Sequence, residues 1–465
     1  MSWLESRTAS PDRSIWRDIT EDSFRQHLVE LEERTNAVPI DAQAFPIAEA
    51  VPGDGHTLPL RVEQQVADDL ACLAAIEEGA QSVAAVCIEE HIQPSRLTVR
   101  FAALDLSLSG DVKAALHDIT ETLAVTDTQV DALFEQIAKL HFRRLLARLR
   151  SRKWEKPKHL SRSHKKPLWR DFTNLVHRAQ FLYTKREATS RRAVENRLQS
   201  LASNYEAFEA AEAGSDDEFD SIKRLVKTSY RFCTDAEIKD YAQRLEDSVN
   251  AKPTALVASA IKCLRQIEKI GAYQRIARSL ADTARQYPVL FHEKIQLEFL
   301  MPYKSVPTTI GYESWAKTCH VHAEIQLAVY YDLLAQSQFQ LQGRLASAPS
   351  DAQPDHPNFY RPRVIGTSKW LCYLCYLFLR YHGRFVPTNT HGRLYDQWTV
   401  PDLAEYDNEL FSCYRSILQA MDDEVVGQTA STATSDAVVD LVRWRVEPMT
   451  SRQNLLCMDV AFQGT

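Results

Sequence analysis

Apolar residues recur three and four apart through much of the first 290 positions, the period of an amphipathic helix. "VEQQVADDLACLAAIEE" (62–78) and "VDALFEQIAKLHFRRLLARL" (130–149) both carry it. Thr234, with Glu237 three positions on, makes a capping-box pattern ahead of "IKDYAQRLEDSV". "TALVASAIKCLRQIEKIGAYQRIARSLADTARQY" (254–287) predicts one long helix or two. No fixed repeat period is visible.

From about residue 292 the period changes. "KIQLEFLMP" alternates Ile295, Leu297 and Phe299 with Gln296 and Glu298, a strand signal. "HAEIQLAVYYDLLAQ" (322–336) predicts a helix, and a loop-like Pro/Ser/Ala-rich insert (343–363) follows. "RVIGTS" predicts a short strand ending on Gly366. "CYLCYLFLRYHG" predicts an apolar helix ending on Gly383, and "RFVPTN" an extended path. "VRWRV" and "LLCMDVAF" predict two more strands near the end. The class is α/β (α+β): a mostly helical region over 1–290, then an α/β half over 291–465. The two are expected to pack separately, with no strand from 60–250 in the sheet of 361–366.

Length and composition agree. A chain of 465 residues exceeds one ordinary core, and 45% hydrophobic with 25% charged residues is a globular composition. A net charge of −7 describes no general polyanion binder. The first residues lack the apolar stretch of a secretory signal, and no apolar run reaches about 18 residues, so no membrane span is expected. Nine cysteines, odd in number and scattered, fit free thiols in an intracellular, reducing setting, cytoplasmic or nuclear. Nothing in the sequence sets an oligomeric state.

Two charge blocks stand apart. Residues 141–170 hold 12 Lys or Arg and one acid, Glu155, while 205–220 hold seven acids and no base. The basic segment reads as a solvated helix end and linker, or as a nucleic-acid or nuclear-import patch with Trp154 and Trp169 for stacking. The acidic block reads as a mobile loop between helices.

Candidate chemistry enters with His322-Ala323-Glu324 and, 50 residues on, Cys372-Tyr373-Leu374-Cys375. One imidazole and two thiolates can hold Zn²⁺ tetrahedrally and leave a place for water. A carboxylate that is not a ligand, Glu324, can then move the water's proton. Cys372 and Cys375 share a helix face at the first turn, where the helix dipole favours thiolates, with Lys369 nearby. His322 and Glu324 stand about 200° apart on an ideal helix, so both reach one metal only if the helix begins at the triplet. With 14 His, one such triplet by chance is unremarkable. His320 is an alternative ligand. The Cys pair would also suit a buried apolar helix or, less well given the bulky Tyr and Leu between them, a redox pair. Cys319, Cys413 and Cys457 read as core thiols.

The blocks "VHAEIQL", "VIGTSKWLCYLCYLF" and "THGRLYDQWTVP", within 295–402, resemble the cytidine-deaminase-like superfamily. More closely they are similar to a fungal-expanded branch of nucleic-acid or nucleotide deaminases. Where other deaminases have Pro before the first Cys, Leu371 stands here. The resemblance implies a mixed sheet flanked by helices, a zinc site and hydrolysis of a nucleobase amine. The base, cytosine or adenine, and its carrier, nucleotide or single-stranded nucleic acid, stay open. It also implies a substrate pocket with His391, Tyr395 and Trp398, alongside Ser368 and Lys369; Tyr395 and Trp398 read equally as packing residues. Two other readings compete: a catalytically silent zinc-stabilised interaction module, and a helical nucleic-acid-binding scaffold using 141–170.

Overall fold

A computed structural model describes residues 13–45, 55–76, 83–104, 108–125, 130–158, 166–251, 254–345, 359–434 and 455–456. The elements run α1 (Glu21–Thr35), α2 (Leu60–Ala74), β1 (Ala84–Ile92), β2 (Ser95–Ala103), α3 (Gly110–Leu123), α4 (Val130–Leu140), α5 (Phe142–Leu149), α6 (Phe172–Leu182), α7 (Ala188–Ala210), α8 (Asp216–Thr234), α9 (Ala236–Ala251) and α10 (Ala255–Gln286). They continue with α11 (Pro288–Phe291), β3 (Gln296–Phe299), β4 (Val306–Pro307), β5 (Thr318–Val321), α12 (Ala323–Leu345), β6 (Phe359–Tyr360), β7 (Gly366–Thr367), α13 (Tyr373–His382), β8 (Trp398–Thr399) and α14 (Asn408–Thr434). The mixed α/β class and the largely helical N-terminal region hold. Among the described residues no helix is long and apolar enough to cross a membrane.

The chain forms two compact units: 1–75 with 80–127 and 283–439, and 76–79 with 128–282 and 440–465. The first contains a sheet in the order β3-β2-β1-β6, with β7 also on β1. β1 and β2 are antiparallel, and β2 runs parallel to β3. β1 also pairs antiparallel with β6, through Glu90 and His91, and with β7, through Ala85 and Val86. This corrects the expectation that residues 60–250 lend no strand to the sheet of 361–366. The strand was hidden because residues 84–90 are all buried, so the period-2 signal is lost. Its two buried acids are satisfied. Glu89 accepts from Arg100 (3.0 Å) and the Tyr331 hydroxyl (2.7 Å), and Glu90 takes the Thr57 amide at 2.7 Å.

A second, smaller sheet orders β4-β5-β8, with β5 parallel to β8 through His320 opposite Trp398 and Val321 opposite Thr399. The core of this unit gathers α1, α12, α13 and α14 around Leu28, Val329, Phe378, Trp398 and Tyr414. Asp332 of α12 lies within it and accepts from His382 Nε2 (2.8 Å), the Tyr414 hydroxyl (2.6 Å) and Arg384. That buried network ties α12 to the end of α13 and to α14.

The second unit is helical where described. The 254–287 pattern is one helix, α10. α9 is capped by Asp235, whose carboxylate takes the Glu237 and Ile238 amides at 3.1 and 3.3 Å. Thr234 instead ends α8 and bonds back to the Tyr230 carbonyl, so the predicted Thr234–Glu237 box is corrected by one position. The acidic block is not a long loop either. Asp216, Asp217 and Glu218 fill the first turn of α8, where the helix dipole favours them. Several cations of the basic segment meet partners in the same unit: Lys153 pairs with Glu218 at 3.1 Å, and Arg150 and Lys166 both pair with Asp171. "VRWRV", Cys457 and nearly all of "LLCMDVAF" lie outside the described residues.

Candidate metal centre

β5 ends at Val321 and α12 starts at Ala323, leaving His322 as the single residue between. Its carbonyl accepts the Gln326 amide at 3.0 Å, so His322 occupies the cap position. The helix therefore begins at the triplet, and Glu324 sits in its first turn. Cys372 caps α13 in the same way. Its backbone is extended (φ −70, ψ 166) and its sulfur accepts the Cys375 amide at 3.3 Å. Two helix starts thus converge on one point, each directing an orphan amide end and its partial positive charge there.

His322 Nδ1 lies 3.5 Å from the Cys372 sulfur and 3.4 Å from the Cys375 sulfur. A tetrahedral ion with N and S ligands at about 2.0 and 2.3 Å separates them by roughly 3.6 Å, so the three donors already stand at the spacing a zinc-sized ion requires. Among the described residues these are the one His/Cys/Asp/Glu group close enough to hold a metal, with ligand atoms within 4.8 Å of one another. His320 is outside the group; its Nε2 pairs with the Thr318 hydroxyl at 3.1 Å. Burial pushes both thiols up. At Cys372 that is outweighed by the hydrogen bond from Cys375, the His322 imidazole and the Cys375 amide, which hold it well below the ordinary thiol range. Cys375 stays well above, through burial and its bond to the Cys372 sulfur. A cation held by both sulfurs needs both as thiolates, so its entry would be coupled to proton release.

Glu324 is 4% exposed, and its Oε2 accepts from the Cys375 thiol at 3.6 Å. Burial raises its pKa, opposed by His322. It is a buried carboxyl beside the donors and outside their group.

The remaining expected site residues divide. His391 is buried, and its Nδ1 accepts the Arg393 amide at 3.0 Å. That bond places the ring proton on Nε2 and makes the neutral imidazole a donor there. Burial lowers its pKa to about 4, the Cys372 charge working the other way. Tyr395 is 39% exposed, and its ring lies 6.5 Å from the His322 ring and 5.9 Å from the His391 ring. Trp398 is different: 1% exposed, it packs against Phe24 and Phe378. Its buried Nε1 has no hydrogen-bond partner. Trp398 is a packing residue. Ser368 pairs with β1, its hydroxyl accepting the Ala84 amide at 3.1 Å. Lys369 acts on His391 electrostatically. Cys319 is buried against Arg25, and Cys413 is half-buried.

Sequence reasoning missed two supports. Gly392 has φ +69, and a Cβ there would stand 2.0 Å from the Ile40 carbonyl oxygen, so only glycine lets the chain turn between His391 and Tyr395. The Arg393 amide that fixes the His391 tautomer is backbone and carries no sequence signal.

His391 yields a pH prediction. Its folded value near 4 lies below the ordinary 6.5, so its contribution is complete above pH 6.5 and is lost as pH falls toward 4. The full loss is about 3 kcal/mol. Urea titrations across that window should show the loss. His391→Asn, which keeps an acceptor for the Arg393 amide, should flatten the slope by about one proton. Parallel losses in both proteins would assign the acid sensitivity elsewhere.

No curated protein and no solved structure is significantly similar to the chain. Residues 321–402 match the family described as OTT_1508-like deaminase. That segment carries His322, Glu324, Cys372 and Cys375 together with His391, Tyr395 and Trp398, and in it the chain is similar to a deaminase.

Proposed function

We propose that the protein is a zinc-dependent deaminase that hydrolyses the exocyclic amine of a nucleobase, carried on a nucleotide or a single-stranded nucleic acid. The observation that carries this reading is Glu324: a buried carboxyl of raised pKa beside three metal donors and outside their set. A purely structural zinc site has four protein ligands and no use for such a group, which weighs against the silent interaction module.

His322, Cys372 and Cys375 would hold the ion, which would supply a water acidified toward neutrality. Glu324 takes one proton from the attacking water and gives it to the ring nitrogen; it then carries the second, from the hydroxyl now on the ring carbon, to the amine, which leaves as ammonia as the carbonyl forms. Its burial raises the carboxyl's proton affinity, the direction that a proton carrier needs. His391 offers Nε2–H to an acceptor on the base edge, and Tyr395, 39% exposed, offers an aromatic ring to a base. Trp398, sealed in the core, has no part in contacting substrate.

Metal analysis followed by an ammonia-release screen over nucleosides, nucleotides and single-stranded oligonucleotides tests the reading. One equivalent of zinc and ammonia from at least one class are expected. Protein that holds zinc yet releases no ammonia from any of them would return the centre to a structural role.

A further inference from the structure

Arg393 falls between His391 and Tyr395, the two residues expected at the substrate, and it touches both. Its backbone amide donates to His391 Nδ1 at 3.0 Å, and its guanidinium carbon lies 5.6 Å from the centre of the Tyr395 ring. That ring lies 5.9 Å from the His391 ring and 6.5 Å from the His322 ring. Arg393 is exposed, and among the described residues its guanidinium enters no ion pair and no hydrogen bond.

On an open surface such an arginine is ordinary, because water satisfies it. Two observations set this one apart. A guanidinium held over an aromatic ring keeps its N–H fork available, and that fork matches the oxygens of a phosphate. Here the ring is the one beside the His391 and His322 imidazoles. The second observation is charge. The low pKa of His391 comes first from burial, with Cys372 working the other way, and then from two cations, Lys369 and Arg393. Three acids share the neighbourhood, Glu32, Asp396 and Glu313, yet none forms an ion pair with Arg393. Asp396 is 6% exposed, and its Oδ2 accepts the Tyr312 amide at 2.7 Å. Glu32 is 7% exposed; burial and then the Asp396 charge push it up to about 8, against Arg393, so most of it is neutral at pH 7. Glu313 is exposed, where salt screens it. The cation beside the site is left to an anion from outside the chain.

We propose that Arg393, supported by the charge of Lys369, binds a phosphate of the substrate, so that the metal centre takes phosphorylated nucleosides in preference to free bases and nucleosides. The phosphate belongs to a mononucleotide or to a link of a single strand; the fork recognises either. This rests on the function proposed above and narrows its substrate class.

Calorimetric titration of the full chain, loaded with zinc and carrying Glu324→Gln to prevent turnover, tests it. The ligands are ribo- and deoxyribonucleosides, their 5′-monophosphates, and trinucleotides of the same bases with hydroxyls at both ends. For at least one base, a phosphorylated form is expected to bind about tenfold or more tighter than the nucleoside. With Arg393→Gln added, that preference should fall to near unity at unchanged melting temperature. Arg393→Lys, which keeps the charge without the fork, should retain part of it. A gain with the monophosphate alone identifies a mononucleotide substrate, and a gain with the trinucleotide a strand. Nucleosides that bind as tightly as their phosphorylated forms, a preference that survives Arg393→Gln, or no binding by any ligand would overturn the inference. Ammonia assays on the chain with Glu324 intact separate it from the reaction. The phosphate preference without ammonia from any ligand would keep the phosphate site and remove the deaminase. Equal kcat/KM for nucleoside and nucleotide would keep the deaminase and remove the phosphate site.

Discussion

Glu324→Gln is expected to retain zinc and fold normally while ammonia release falls by about a thousandfold or more. The substitution preserves shape in a position only 4% exposed, so packing at the start of α12 is undisturbed. What it removes is the ability to take up and release a proton. Because burial raises the Glu324 pKa, the wild-type carboxyl is harder to ionise than an exposed one. The acid limb of kcat/KM should accordingly lie above the ordinary carboxylate range. The same sign governs stability. A raised folded pKa means stability present at low pH and lost as pH rises through it, so the Gln variant should melt no lower than wild type near neutrality and higher above it. Turnover that survives the substitution would remove Glu324 from the reaction. Zinc lost with it would make Glu324 a ligand.

Gly366→Ala is expected to destabilise the first unit by about 3 kcal/mol or more, the upper range for overpacking. A Cβ there would stand 2.3 Å from the Ala67 carbonyl carbon and 2.5 Å from the Asp68 nitrogen, both backbone atoms of α2 with no side-chain freedom to yield. β7 would have to leave α2, breaking the bond from the Thr367 amide to the Asp68 carboxylate at 2.8 Å. Since β7 leads directly into the turn before Cys372, zinc affinity should fall with stability. Thermal melts and zinc titrations of the variant check both. Wild-type values in each would show that β7 can slide off α2 without cost.

The centre was largely legible because its geometry follows from short spacings. Cys372 and Cys375 share a helix face whatever the surrounding fold. The i, i+2 relation of His322 and Glu324 forces the helix to begin between them, and α12 begins at Ala323. Pocket roles were less legible. Trp398 and Tyr395 are both aromatic within one motif, yet one is sealed in the core and the other is 39% exposed. Trp398 lies in β8, opposite His320 of β5, and Tyr395 lies in the stretch before that strand.

The fold was legible in its helices and strand β3, whose polar and apolar faces differ. It was not legible where burial erased the contrast. β1 carries Glu89 and Glu90 inside the protein, so hydropathy fails there twice: its apolar positions do not alternate, and its acids are not on the surface. Charges on Arg100 and hydroxyl and amide donors make those positions tolerable, and none of these partners is adjacent in sequence.

The β1–β2 hairpin has a practical consequence for anyone dissecting the protein. A gene cut at residue 290, or trimmed to the deaminase-similar segment 321–402, leaves out the strands on which β3, β6 and β7 all depend for their hydrogen bonds. Such a fragment would present bare strand edges and the apolar flank of α12 to solvent, a recipe for inclusion bodies. The chemistry-bearing segment is therefore not portable. Grafts, fusions and domain swaps have to carry residues 84–103 along with it.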